Sequence, residues 1–294
     1  MGILEGRAAI VTGGGRGIGR GHCLQLAGQG ASVIVNDVDI DEARKVATEI
    51  SEKGGKAGVN DSDISSREGA QALVQQCVDE FGAIHACVNN AGNVRDRSFL
   101  KMSDEEFDAV MQVHLYGTFR VGQESALRFR EQGGGSIVNT VSAAHFGNFG
   151  QTNYAGAKGA IASMTYTWAT ELSRYGIRVN AISPSGTTRM SQTFRSGGKV
   201  VEQPFVDPNQ NGAFVAFLCS DEAGWITGQI FGTGSGRVQI VEQPRYGTAL
   251  YLEDLPVDEI VKHFQRVFGT RLENFGLMKP PYAFYDGVKP PEAK

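Results

Sequence analysis

The stretch Val11–Gly19 reads VTGGGRGIG. It follows a short apolar run, RAAIV at 7–11, and opens RGIGRGHCLQLAGQG, whose apolar residues recur at helical period. A strand that turns on glycines straight into a helix begins a βαβ unit. Glycines let the backbone pass close to a pyrophosphate, and the first turn of the helix offers it N–H groups that have no helical partner. The strict G-x-G-x-x-G string is absent. T-G-x-x-x-G-x-G stands in its place, with Gly13, Gly17 and Gly19 as the spaced glycines and Arg16 and Ile18 among them. The turn draws its meaning from its position at the first strand–helix junction.

Outward from that turn the pattern repeats. ASVIVND (31–37), KAGVNDSD (56–63), AIHACVNNAG (83–92), GSIVNTVS (135–142) and IRVNAIS (177–183) read as strands, and segments of helical period separate them. One long helix is predicted over SDEEFDAVMQVHLYGTFRVGQESALRFREQ (103–132), with Ser103 and Glu106 as a capping box. Val- and Ile-rich strands alternating with helices predict an α/β chain, a single Rossmann-type doubly wound parallel sheet spanning residues 1–241. Residues 242–294 change character and predict a helical and extended C-terminal appendage, packed on that domain or on a partner subunit. Within it, PVDEIVKHFQRVF places Val257, Ile260, Val261, Phe264, Val267 and Phe268 on one helix face, and the end is Pro-rich.

Composition excludes several classes. The 294 residues are 41% hydrophobic and 20% charged, with a formal net charge of -4. No basic block marks a nucleic-acid partner, no apolar run is long enough to span a membrane, and no signal-peptide layout opens the chain. The chain ends Glu-Ala-Lys rather than in a peroxisomal address, so a cytoplasmic location is expected. Cys23, Cys77, Cys87 and Cys219 form no Cys-x-x-Cys pair, and reduced structural thiols are expected. No His/Cys/Asp cluster has metal-ligand spacing, so no metal is expected.

Asp37 closes the second strand, 18 residues past Gly19, near the spacing of a carboxylate that binds ribose hydroxyls. It could instead cap the next helix. A carboxylate there repels a 2′-phosphate and favours NAD over NADP. Arg16 is the counter-indication, since it could meet that phosphate. Tyr154 and Lys158 stand four apart in NYAGAK, on one face of a helix. A phenol titrates near pH ~10, and a neighbouring ammonium favours its phenolate. Tyr154 can then serve as base toward an alcohol or acid toward a ketone. Ser142, at the end of the preceding strand, can donate to the same substrate oxygen.

With these pieces in order, the chain resembles the short-chain dehydrogenase/reductase family. The matching motifs are TGGGRGIG, Asp63-Ile64, Asn89-Asn90-Ala91-Gly92, Ser142, Tyr154-x-x-x-Lys158, PSGTT at 184–188 and ITGQIF at 226–231. The resemblance implies hydride transfer between a nicotinamide cofactor and a secondary alcohol or ketone. It implies that Tyr154 transfers the proton, that Lys158 lowers its pKa and holds the nicotinamide ribose, and that Ser142 orients the substrate oxygen. Asp63 and Ile64 would lie at the adenine, Asn90, Ala91 and Gly92 along the cofactor, and Pro184 and Thr187 against the nicotinamide. Ser185 departs from the family's Pro-Gly at this loop.

The family pattern V-N-L-x-G-x-F appears here as VHLYGTF, so His114 takes the place of an asparagine that holds a water beside the lysine. Imidazole can do the same, or it can be a satisfied core residue that helps the helix bend. His114 together with GNFGQTNY, TTRMSQT and PVDEIVKHFQRV is similar to the dehydrogenase portion of multifunctional enzyme type 2, which oxidises (3R)-hydroxyacyl-CoA thioesters with NAD. Hydratase and sterol-carrier portions are missing from this sequence, so a stand-alone dehydrogenase is expected. Arg189, Arg195 and Lys199 could meet CoA phosphates or simply face solvent. Met190, Phe194, Phe205 and Phe214 keep a hydroxysteroid, or a steroid-derived acyl-CoA, as the alternative, with 3-oxoacyl reduction also open. A regulator that binds NAD without catalysis is the reading from another class; the proton-transfer pair argues against it. The resemblance also implies a homodimer or homotetramer.

Overall fold

A computed structural model of the chain describes residues 2–188, 195–196, 199–200, 204–251, 254, 256–269 and 276–277. The first three strand–helix units are β1 (Ala8–Thr12), α1 (Gly17–Gly28), β2 (Ser32–Asn36), α2 (Ile40–Glu52), β3 (Lys56–Asn60) and α3 (Arg67–Phe81). β4 (Ala86–Asn89), α4 (Asp104–Met111), α5 (Gly117–Gln132), β5 (Gly135–Thr140), α6 (Thr152–Leu172) and β6 (Ile177–Pro184) follow. A two-residue ladder, β7 (Arg195–Ser196) with β8 (Lys199–Val200), precedes α7 (Gly212–Cys219), β9 (Ile230–Gly234), β10 (Arg237–Ile240) and α8 (Val257–Phe268).

The main sheet runs β3-β2-β1-β4-β5-β6-β9-β10. Strand order reverses between β1 and β4, and in such sheets ligands bind outside the carboxyl ends of the strands at that point. Val33, Ile34 and Val35 are fully buried, as are Ile10, Ile137 and Ile182. Consecutive burial on both faces is why these strands read as unbroken apolar runs rather than alternating ones. Each such side chain contributes about 1.5–3 kcal/mol relative to leaving it exposed.

Two elements depart from the sequence reading. First, the sheet is parallel only through β9. β10 returns antiparallel to it, because Ser235 and Gly236 take positive φ (53° and 71°) and make a tight reversal suited to a hairpin. Second, the long helix is not continuous. Ser103 and Glu106 do form the capping box at the start of α4. Residues Gln112–Tyr116, however, widen into a π turn before α5 begins. In the appendage, α8 forms where expected, with Val257, Val261 and Phe264 exposed and Ile260, Val267 and Phe268 half-buried. Among the described residues, no helix is long and apolar enough to cross a membrane, and all four cysteines are buried free thiols.

Candidate active site

β1 delivers the glycine turn to the switch point, and β4 locks it there. Thr12 Oγ1 accepts from the backbone N–H of Asn90 and of Ala91, at 3.0 and 3.1 Å. The Asn90 side chain donates to the carbonyls of Thr12 and Gly13, both at 3.0 Å. Gly13 is required at this crossing: its φ is +61°, and a Cβ there would lie 2.8 Å from Ala91 Cα. α1 then starts with no side-chain cap and no acidic residue in its first turn. The N–H groups around Gly17, Ile18 and Gly19 are therefore open to an anion, which fits a dinucleotide pyrophosphate.

Asp37 lies beside this turn. Its carboxylate accepts from Gly15 N at 3.1 Å and from Asp39 N at 3.0 Å. The N-cap of α2 is Asp39, so the capping alternative for Asp37 falls away. Arg16 turns toward α2, with Nη2 2.5 Å from Asp39 and Nε 2.9 Å from Glu42. Asp63 is exposed and accepts from Ser65 N at 2.9 Å, while the Ile64 side chain is buried in the core. Pro184 closes β6. Ser185, where the family has glycine, donates its hydroxyl to Thr233 O at 3.0 Å. Thr187 is held by Val206 through two bonds, of 2.7 and 2.9 Å.

The second cluster forms where β5 ends and α6 begins. Ser142 Oγ accepts from Ala144 N at 3.2 Å, and its hydroxyl acts on that of Tyr154, lowering the latter's pKa. Lys158 is buried, donates to Thr140 O at 2.5 Å, and has its ammonium 5.7 Å from the centre of the Tyr154 ring. His114 meets the same ring edge-on, with centroids 5.2 Å apart and planes at 87°. Ser142, Tyr154, Lys158 and His114 thus come together from three separate elements. Burial raises the Tyr154 hydroxyl above its ordinary value, the Ser142 hydroxyl pulls it down, and the Asp96 charge raises it. Burial pushes the Lys158 ammonium down to about 7. The sequence reading had Lys158 lowering Tyr154; in this arrangement burial is the larger effect on both.

The π turn brings His114 inward. Its Nε2 lies 3.0 Å from Asn93 N and 2.8 Å from Asn93 O, and the Asn93 side chain donates to Ala109 O at 3.0 Å. Burial drives His114 down to about 3, with the Lys158 charge acting the same way, so the ring is neutral. Its Nδ1 and Thr140 Oγ1 are both buried without a protein partner. Two donors or acceptors left open next to the Lys158 site suit an ordered water.

Several contributions had no role assigned from the sequence. Asn89 donates to Asn139 and Asn139 to Thr165, each at 3.0 Å, tying β4, β5 and α6 through the core. Asn153 donates to Arg95 O and Glu106 O and accepts from Tyr154 N. Asp96 accepts from Gln151 at 3.0 Å on the rim of the site. Strand-end asparagines in register were the available signal. His145 is half-buried, its Nδ1 against Ser142 O. Leu277 N donates to Gly147 O at 2.7 Å, bringing the appendage to the loop before Tyr154. Phe205 is exposed, but Phe214 packs on Phe217 and Phe231 and is not a lid residue. Arg189, Met190 and Phe194, and the side chains of Arg195 and Lys199, lie outside the described residues.

The chain belongs to the short chain dehydrogenase family, whose sequence model matches residues 7–198. It is an oxidoreductase that interconverts alcohol and ketone with a nicotinamide cofactor. It is 39% identical to hydroxyacyl-CoA dehydrogenase ChsB1 of Mycobacterium tuberculosis, over 82% of this chain and 81% of that one. It is 38% identical to peroxisomal multifunctional enzyme type 2 of Mus musculus, over 79% of this chain and only 32% of that longer protein. Among solved structures, a short chain dehydrogenase from Mycobacterium avium superposes with a TM-score of 0.82 at 35% identity, covering 91% and 96% of the two chains. 7α-hydroxysteroid dehydrogenase, solved with NADH and 7-oxo glycochenodeoxycholic acid, gives 0.69 at 31% identity, covering 80% and 96%.

Proposed function

We propose that this chain is an NAD-dependent dehydrogenase whose substrate is a (3R)-hydroxyacyl-CoA-type thioester. The observation that carries the chemistry is the convergence of Ser142, Tyr154 and Lys158 at the sheet's carboxyl edge. A bound nicotinamide cofactor supplies the hydride acceptor. Ser142 donates to the substrate oxygen and fixes it beside Tyr154. Tyr154 takes the hydroxyl proton in oxidation and returns it in reduction. Lys158, anchored on Thr140 O, stabilises the phenolate and holds the ribose. His114 and Thr140 hold the water through which the proton leaves, the part that asparagine plays elsewhere in the family.

Asp37, with the turn at Gly13, Arg16, Gly17, Ile18 and Gly19, holds the adenosine half. Its carboxylate favours a ribose with free hydroxyls, which supports NAD. Asp63, Ile64, Asn90, Ala91, Gly92, Pro184 and Thr187 line the remaining length of the cofactor. Residues 1–241 form the catalytic unit. Residues 242–294 form an extension at its rim, a reading the Leu277–Gly147 bond supports. The assembly is a homodimer or homotetramer. The thioester reading rests on the likeness to ChsB1 and to multifunctional enzyme type 2. Exposed Phe146, Phe149 and Phe205 near the site suit an apolar acyl chain.

A substrate panel read by cofactor absorbance tests it. Turnover of (3R)-hydroxyacyl-CoA with NAD, faster than of free hydroxysteroids and faster than with NADP, is the expected outcome. No turnover of any CoA thioester removes the thioester reading, and a higher kcat/KM with NADP removes the NAD reading.

A further inference from the structure

We propose that Asp39 and Glu42 are specificity-determining residues that hold the Arg16 guanidinium against α2 and so withhold the glycine turn's cation from a cofactor 2′-phosphate. The inference rests on the NAD reading and extends it from Asp37 to a second device.

Three observations carry it. Arg16 is engaged on two sides at once, through Nη2 to Asp39 and through Nε to Glu42. Asp39 stands at the N-cap of α2 yet makes no side-chain cap bond. An aspartate there normally accepts from the helix's own N–H groups; this one holds Arg16 instead. Gly15 makes the approach possible, because a Cβ there would stand 2.9 Å from Asp37 Oδ2 and 3.0 Å from Glu42 Cβ. The turn can therefore lie flat against the start of α2, within reach of both carboxylates.

The local charges add up the same way. Asp39 and Glu42 face Arg16, Asp37 lies beside the turn on Gly15 N, and Lys45 pairs with Glu42 from the outer side at 2.5 Å. Glu42 is pulled down to about 2, first by Arg16 and then by Lys45, so it stays ionised at any working pH. Arg44 is occupied by Asp41. A 2′-phosphate arriving here meets three carboxylates and a cation already in use. Removing Asp37 alone abolishes one repulsion and leaves Arg16 held.

Binding of AMP and of 2′-phospho-AMP by calorimetry tests this without any turnover. The wild-type protein should prefer AMP. Asp37→Ser should weaken AMP and gain little for the 2′-phosphate. Adding Asp39→Asn and Glu42→Gln should improve 2′-phospho-AMP by a further tenfold to hundredfold, roughly the size of one charge-assisted hydrogen bond. That gain should shrink with added salt and vanish when Arg16→Ala is included. Either single release in the Asp37→Ser background reports part of it if the triple variant folds poorly. If the released variants gain no more than Asp37→Ser alone, or keep the gain without Arg16, the proposal is overturned. Equal affinity of the wild type for the two nucleotides would instead overturn the NAD reading, and this proposal with it.

Discussion

Tyr154 carries a hydroxyl that burial and the Asp96 charge push up in pKa while Ser142 draws it down. Asn at position 96 would keep an oxygen for the Gln151 bond and lose the charge. Removing a negative charge favours the phenolate, so Asp96→Asn should move the acidic limb of oxidative kcat/KM to lower pH. Tyr154→Phe should abolish that limb together with most of kcat. A pH–rate series on the three proteins checks this, and an unmoved limb would place Asp96 outside the field of the tyrosine. Ser142, Tyr154 and Lys158 were legible in the sequence because strand end and helix spacing are local. Asn93, Asn139 and Asp39 were not, because their partners lie 16 to 50 positions away or take a cap residue away from its usual bond.

At the scale of elements, the strands were readable because each is a short apolar run bounded by turn residues. The break in the long helix was not legible in the periodicity, where apolar residues keep a helical period on both sides and one widened turn changes no pattern; only the family resemblance at His114 pointed to a bend there. Its cause is tertiary. Asn93 reaches His114 and Ala109 from the loop after β4. The fit is tight, since a Cβ on Gly92 would stand 2.2 Å from His114 Cε1. Gly92→Ala should therefore cost about 1–3 kcal/mol of stability, the usual penalty for overpacking. His114→Ala in the same chain should recover part of that cost. A double-mutant cycle by denaturant unfolding checks it, and strict additivity would show that the two residues do not meet. β10 escaped notice because its reversal uses Ser235 where Asn or Gly is the usual signal.

Over the whole molecule, acid stability follows from buried imidazoles. His22 and His114 are each pushed down to about 3 by burial, and His85 is lowered for the same first reason. Their unfolded pKa is ~6.5, so below that value the unfolded chain binds protons the native one refuses. Stability is complete above pH ~6.5 and should fall as pH drops, by ~1.4 kcal/mol per unit for each of His22 and His114. Unfolding curves between neutral and mildly acid pH should show it, with a shallower slope in His114→Asn. A slope unchanged in that variant would mean His114 protonates in the native state. The same long-range construction bears on portability. Asn90 reaches back to Thr12 and Gly13 across 78 and 77 positions. A fragment that stops after β3 would keep every spaced glycine and Asp37, yet lose the donors that hold the turn's carbonyls. The nucleotide turn is thus no self-sufficient cassette, and any graft of it onto another scaffold must carry the Asn90 strand along.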